Sequence, residues 1–502
     1  MIKGRGFDVD KYIQVQSEEI LKRVNNFEKL YLEFGGKLCG DFHASRVLPG
    51  YDPNTKIQIL RMIKDKSEII FCVSSKDIEN TKVRGDSGLS YEMDTLKTIN
   101  DLKGFGLDVL GVVINRFSGE KKTLKFKQYL DNLGIKVYLQ KEIEGYPADV
   151  EKIVSDEGYG KNPYIETQKP IIIVTGAGPG SGKMSFCLSQ LYFDNLNNKK
   201  SCFAKFETFP IWNLSLDHPI NIAYEAATAD IGDVNMIDSF HLKEYGIVSV
   251  NYNRDIENFP ILNNILKKIG KEIYKSPTDM GVNKAKQGII DDEIIQKASK
   301  QEIIRRYFRY KKEYFLGIVN KEVLDRIEKI MQRVEVNEKE REVVIHSRKA
   351  AKTAKQDSEK GNRGFYCGSA IQLNGEIITG KNSKLLHSES ACIINALKKL
   401  ANIPGNILLF PKELINSIGR LKEKIYSNPN PSLDVSEILI ALALSASTNP
   451  FALECINKLH LLKNSEMHTT HLPTKGDEIG LRDLGINLTT DAELTGKIYL
   501  RS

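Results

Sequence analysis

The chain has 502 residues, 41% of them hydrophobic and 27% charged, a globular usage that excludes a disordered or collagen-like polymer. That length exceeds what one hydrophobic core supports, so several domains are expected. The formal net charge of +7, from 72 basic and 65 acidic residues, is scattered along the chain and argues against a nucleic-acid-binding arm.

Residues 17–34 carry apolar side chains at helical spacing (Ile20, Leu21, Val24, Phe27, Leu30, Leu32) and are read as an opening helix ended by Gly35-Gly36. The runs 69–73 and 109–114 are short, apolar and partly β-branched. They flank a helical stretch at 91–102, which makes a strand, helix, strand unit. A helix near 126–133 and a strand at 136–139 continue the alternation, so a parallel sheet covered by helices is the economical architecture. After a polar loop at 155–169, a second α/β unit begins with the strand 170–174. From 263 to about 336 the segments are amphipathic and charge-dense and predict helices. Within them Arg305, Arg306, Arg309, Lys311 and Lys312 alternate with Tyr307, Phe308, Tyr310 and Tyr314. This stretch is read as a helix lying on another domain and not as a grip on RNA. A polar boundary at 337–363 leads to a hairpin at 368–380 around Asn374-Gly375, and then to a helix at 388–401.

The expected fold class is therefore α/β, in four parts: an N-terminal parallel-sheet unit (1–168), a phosphate-loop-like unit packed with it (169–262), a helical module (263–340) and a smaller α/β subdomain (341–502). Seven cysteines form no close pair, the start lacks a signal core, and no apolar run reaches the ~18 residues of a membrane helix. Free thiols, a cytoplasmic location and no membrane partner are the expectation.

The most informative segment is Thr175-Gly176-Ala177-Gly178-Pro179-Gly180-Ser181-Gly182-Lys183-Met184-Ser185, between a β-branched strand and a helix. Glycines there let successive backbone N–H groups point at phosphate oxygens, the helix start adds partial positive charge, and Lys183 adds a full one. Gly178, Gly180, Ser181, Gly182 and Lys183 are the expected phosphate contacts. Two departures from the strict phosphate-loop pattern stand out: Ala177 replaces the first glycine, and Met184 replaces the magnesium-binding hydroxyl, with Ser185 one residue late. The alternative is a glycine-rich turn that only lets a helix pack closely on a strand.

Magnesium beside a nucleotide calls for a carboxylate, and Asp230 and Asp238 are the candidates, with Asp238 preferred because it follows the run 234–237. Ser185 would complete the metal set. Arg254 follows the strand-like 248–252 and is a candidate phosphate or carboxylate clamp. Lys205 and Glu207 come after another short strand and could line the same cleft, as could the polar turn 274–281 with Asp279. Asp41 and His43, near Arg46, have the composition of a proton-transfer site, and Arg84 with Asp86 lies near another glycine-containing loop.

The segments Glu33-Phe34-Gly35-Gly36-Lys37, 41–50, 155–160, 179–185, 205–212, 226–230 and 276–283 resemble a bacterial family of unknown function, numbered 1846, over essentially the whole chain. The resemblance implies an N-terminal α/β part, a helical part and a separate C-terminal subdomain, and carries no chemistry. Some members have been labelled ATP-dependent zinc proteases. No His-Glu-x-x-His helix supports that here, since His241 with Glu244 and His387 with Glu389 have the wrong spacing. The C-terminal subdomain also resembles the cytidine-deaminase fold, with its hairpin, His387-Ser388-Glu389 opening a helix, and Asn449-Pro450 before another. In that fold a histidine and two cysteines hold zinc. Phe451 and Glu454 stand at the cysteine places and Cys455 is out of register, so no zinc is expected.

The expected function is phosphoryl transfer of kinase or synthetase type to a small metabolite, using ATP or GTP with magnesium. Two alternatives stay open: an enzyme that holds its substrate's own phosphate in the loop without turning over nucleotide, and a non-catalytic sensor of a nucleotide or phosphometabolite. The expected partners are a small phosphorylated ligand and a second copy of the chain.

Overall fold

In this computed structural model, which describes residues 4–84, 88–271, 273–425 and 430–495, contacts divide the chain into two units, Gly4–Ser299 and Lys300–Ser502. Asp86 lies outside the described residues.

The first unit is built on seven parallel strands: β1 (Lys29–Phe34), β2 (Ser67–Ser74), β3 (Val109–Phe117), β4 (Val137–Lys141), β5 (Ile171–Gly176), β6 (Ser201–Phe206) and, after a separate ribbon of β7 (Asn235–Ile237) and β8 (Val250–Tyr252), β9 (Gly281–Val282). Their order is β4-β3-β2-β5-β1-β6-β9. Helices cover both faces, as parallel sheets require. On one face the helices Lys183–Leu196 and Asn253–Ile269 pack over Tyr31, Ile70, Ile172, Val174 and Phe203. On the other, the helices Tyr91–Gly104 and Lys121–Asn132 pack over Phe71, Val73, Val112 and Ile114. Successive residues of β2 thus enter different cores, the period-2 alternation of a doubly covered strand.

Three expectations need correction. The opening helix is Val9–Val24, and residues 29–34 form β1, one of the inner strands. Leu30, Tyr31, Leu32 and Phe34 are all buried, because both faces of the strand are covered, and such a run also satisfies helical spacing when read together with Ile20 and Val24. Positions 168 and 262 do not divide compact units: β5 enters between β2 and β1, and β9 pairs with β6, so strands from either side of both positions share one sheet. The expected helical module at 263–340 is itself divided at Ser299/Lys300, within the helix Asp292–Phe315.

The second unit has the expected hairpin, β10 (Gly368–Leu373) and β11 (Glu376–Lys381), in a four-stranded mixed sheet with β12 (Glu466–Thr469) and β13 (Asn487–Thr490), ordered β11-β10-β12-β13. Asn374 and Gly375 both have positive φ (52° and 87°), the backbone that the two-residue turn demands. The expected helix forms at Ser388–Leu400 and packs into a core with Ile371, Cys392, Val435 and Met467. No helix among the described residues is long and apolar enough to cross a membrane.

Candidate functional site

In the seven-stranded sheet the chain leaves β2 toward β3 on one side and leaves β5 toward β6 on the other, so its direction reverses between the adjacent strands β2 and β5. Open parallel sheets place ligands at such a reversal, outside the carboxyl ends of the strands. The glycine loop 177–182 stands there, closing β5 and opening the helix Lys183–Leu196, whose N-cap is Gly182 in the left-handed region.

The loop is held from three sides. Ala177 donates its N–H to the carbonyl of Cys72 at 3.0 Å, and the Arg84 guanidinium donates to the Ala177 carbonyl while also pairing with Asp94. Asn115, on β3, donates its Nδ2 to the Ser181 carbonyl at 2.7 Å. Close packing accounts for three of the glycines: a Cβ at Gly176 would lie 2.5 Å from the Cys72 carbonyl, one at Gly178 2.9 Å from the Tyr91 hydroxyl, and one at Gly182 2.5 Å from Asn115. Gly180 differs. It has φ +74° with nothing within 4 Å of a Cβ, so the rim at Pro179-Gly180 is the exposed part of the loop.

In front of the loop stands a carboxylate that sequence reading did not select. Glu33, on β1, lies 3.7 Å from the Lys183 ammonium, with both side chains largely buried (15% and 13% exposed). In the ladder Glu33 is opposite Val174 of β5 on one side and Lys205 of β6 on the other, so Glu33 and Lys205 project from the same face. Lys205 pairs at 2.5 Å with Asp255, in the first turn of the helix Asn253–Ile269. Charges thus alternate across the sheet edge as Lys183, Glu33, Lys205, Asp255. Burial works against the Lys205 ammonium, but Asp255, Glu33 and Glu207 outweigh it and raise its pKa. Glu207, just past β6, accepts a 3.3 Å hydrogen bond from the Tyr252 hydroxyl. Its pKa is raised well above the carboxylate range, first by burial and then by Asp255, against the opposing pull of Lys205 and the Tyr252 hydrogen bond. Oε2 of Glu33 and Oγ of Ser181 are buried and accept or donate no hydrogen bond among the described residues.

Apart from Ser185, the remaining candidates of this group fall elsewhere. Asp238 is fully buried. One of its oxygens accepts the N–H groups of Phe240 and His241, and the other the Thr278 N–H at 3.1 Å and hydroxyl at 2.6 Å, so it is a helix cap. β7 and β8 pair with each other antiparallel and not with the large sheet, so the end of β7 is not a ligand-facing sheet edge, and Asp238 is corrected from metal ligand to cap. Arg254, the expected phosphate or carboxylate clamp, follows β8 and so likewise is not at a strand end of the large sheet: its guanidinium grips Asp233 at 2.8 and 3.0 Å and lies over the Tyr252 ring. Asp230 is exposed in the turn before β7. Asp279 closes a capping box with Ser276. Ser185 lies in the first turn of the 183–196 helix, and its side chain meets the Tyr146 hydroxyl.

Asp41 caps the helix Phe42–Val47 and pairs with Lys56 at 3.0 Å, which holds its pKa low against the effect of burial. Lys56 also donates to the Gly35 carbonyl at 3.0 Å, so this pair fixes the turn that follows β1. The His43 ring lies edge-on to Phe209 at 5.3 Å. Phe209 stacks on Tyr224 at 6.0 Å, and Tyr224 faces Tyr252 at 6.3 Å, so His43 begins an aromatic row that ends at Glu207's partner.

In the second unit His387 pairs with Asp477 at 2.8 Å, and Glu389 accepts from Thr469 at 2.7 Å and Ser388 at 3.0 Å. Cys455 is buried and Phe451 exposed. Among the described residues no group of three or more His, Cys, Asp or Glu side chains is arranged to hold a metal.

Comparison with known proteins assigns the two parts of the chain to one family. Residues 5–335 match the domain of unknown function DUF1846, N-terminal, and residues 339–499 match its C-terminal counterpart. The chain is 51% identical over 490 residues to a UPF0371 protein of Clostridioides difficile (strain 630), covering 97% of this chain and 98% of that protein. It is 50% identical over 489 residues to a UPF0371 protein of Clostridium botulinum (strain Alaska E43 / Type E3), and 51% over 491 residues to one of Clostridium tetani (strain Massachusetts / E88), with 97% of each chain covered in both cases.

Proposed function

The chain belongs to the family of unknown function DUF1846, and with no chemistry attached to that description we propose a function from the site alone: phosphoryl transfer from ATP or GTP, with magnesium, to a small metabolite. One observation carries the reading. A glycine loop that opens a 14-residue helix stands at the sheet's reversal point, with the Lys183 ammonium and the Glu33 carboxylate converging before it.

The loop N–H groups and the start of the 183–196 helix bind the phosphate chain, and Lys183 neutralises charge that builds on the transferred group. Glu33 is the residue that would hold magnesium, because its buried Oε2 has no hydrogen-bond partner among the described residues and a cation would satisfy it. Bound magnesium supplies charge neutralisation between the phosphates. Met184 leaves the usual hydroxyl ligand absent, so Glu33 is the only protein ligand this reading assigns, with phosphate and water oxygens completing the shell. Until ligand arrives Lys183 and Glu33 compensate each other, which keeps two charges tolerable in a partly buried place.

A thermal-shift series with MgATP and MgGTP tests the reading. At ligand concentrations about 100 times the dissociation constant the folded state gains roughly 2.7 kcal/mol. The wild type should show the corresponding rise in Tm. Lys183→Ala should abolish it, and Glu33→Gln should leave a shift that no longer depends on magnesium. Equal shifts in wild type and Lys183→Ala would remove the loop from the account.

A further inference from the structure

We propose that Glu207 is the acid–base residue of the acceptor half of this site, taking the proton from a neutral, hydroxyl-bearing acceptor. The proposal rests on the phosphoryl-transfer reading and names the residue and acceptor class which that reading leaves open.

Position comes first. Lys205 of β6 stands beside Glu33 in the ladder, and Glu207 lies two residues further along the same strand direction, past the carboxyl edge where Lys183 and Glu33 converge. Its backbone is fixed there by donation to the Val282 carbonyl at 3.2 Å. At Gly281 the Glu207 Oε2 and the Trp212 indole pack on bare backbone: a Cβ there would lie 3.3 Å from that oxygen and 2.3 Å from the ring, which fixes the carboxylate's position.

Charge comes second. Lys205, the nearest ammonium in sequence, is already paired with Asp255 at 2.5 Å, whereas the Tyr252 hydroxyl reaches Glu207 only at 3.3 Å. The groups facing Glu207 are Lys205 on its own strand, Asp255 and Tyr252 at the start of the 253–269 helix, Glu33 on β1 and Tyr224 on the helix Pro219–Ala227. With Lys183 committed to phosphate, carboxylates outnumber the remaining cations, and an anionic acceptor is disfavoured.

Together these make Glu207 a carboxylate that holds a proton more firmly than a solvated one, which is what a base working near neutral pH needs. In the step, the acceptor O–H bond breaks and its oxygen bonds to the γ-phosphorus. The P–O bond to the leaving nucleoside diphosphate breaks, its electron pair staying with the diphosphate, and the proton passes to Glu207 and then to water.

The test compares full-length wild type, Glu207→Gln, Glu207→Asp and Lys183→Ala. Calorimetry measures MgATP and MgGTP binding, and nucleotide turnover is followed from pH 5.5 to 9 with water and then glycerol as hydroxyl acceptors. Glu207→Gln should bind nucleotide within about twofold of wild type, turn it over about 100-fold more slowly, and lose the acid limb of the pH profile. Glu207→Asp should keep the limb with a shifted midpoint, which a merely structural role would not produce, and it serves alone should Glu207→Gln not fold. Nucleotide binding by wild type together with an unchanged limb in either variant overturns Glu207 and leaves the nucleotide reading standing. So does a wild type that binds nucleotide and turns over none. No binding by wild type overturns both.

Discussion

Gly180 and Gly182 are two residues apart, both with positive φ, and only Gly182 meets a neighbour where its side chain would be. Left-handed backbone costs an L-residue roughly 1–2 kcal/mol, and Gly180→Ala should lose about that much. Gly182→Ala adds a contact at 2.5 Å with Asn115 and should lose distinctly more, with the loop displaced. Urea denaturation of the two variants ranks them, and equal losses would contradict the packing described for Asn115. Asp238 offers a second contrast. Replacement by alanine removes a cap and leaves the buried Thr278 hydroxyl only the longer contact with Ser249, a loss of about 2 kcal/mol. The Tm shift caused by MgATP should survive in Asp238→Ala. If it vanished, the reassignment of Asp238 from metal ligand to cap would be wrong.

At the scale of elements, legibility followed local chemistry. The hairpin at β10 and β11 has a turn that dictates its own backbone, and it was readable from Asn374-Gly375. So was the loop that opens the 183–196 helix, because glycines and a lysine after a β-branched run are local chemistry. β1 was not, since Lys29–Phe34 has none of the β-branched residues that mark β2 and β5, and its leucines continue the spacing of Ile20 and Val24. Misreading β1 as helix hid Glu33, whose meaning depends on being next to β5 across a gap of 141 residues, from Val174 back to Glu33. Asp238 and Arg254 were overvalued for the opposite reason: β7 and β8 look like sheet strands in sequence, and only the pairing shows that they form a separate ribbon. In the second unit, β12 carries Glu466 between the guanidinium groups of Arg305 and Arg341, at 2.7 and 2.5 Å. Burial opposes its charge, and the two arginines outweigh burial and bring its pKa down to about 2 from an ordinary 4.5. A folded-state pKa below the unfolded one gives stability that is present above about pH 4.5 and is lost as pH falls through 2, here on the order of 3 kcal/mol. Acid titration of Tm should show this fall in wild type, and Glu466→Gln should flatten it while lowering stability at pH 7.

For the whole molecule, each unit has its own apolar core and its own polar centre: Lys183, Glu33 and Lys205 in one, and Arg305, Arg341 and Glu466 in the other. Calorimetric unfolding should therefore resolve two transitions, with MgATP moving the one that belongs to 4–299 and Glu466→Gln moving the other. A single transition moved by both would show that the units melt as one. The position of β1 also bears on how the chain comes to be folded at all. This segment leaves the ribosome before either of its sheet neighbours, β5 and β6, which are translated more than 130 residues later. Until they emerge, two bare hydrogen-bonding edges on a segment carrying Leu30, Tyr31, Leu32 and Phe34 must be kept from other nascent chains, a task for chaperones or for speed. Fragments that stop before residue 206 should accumulate in the insoluble fraction when expressed, whereas one ending at 299 has every strand of its sheet.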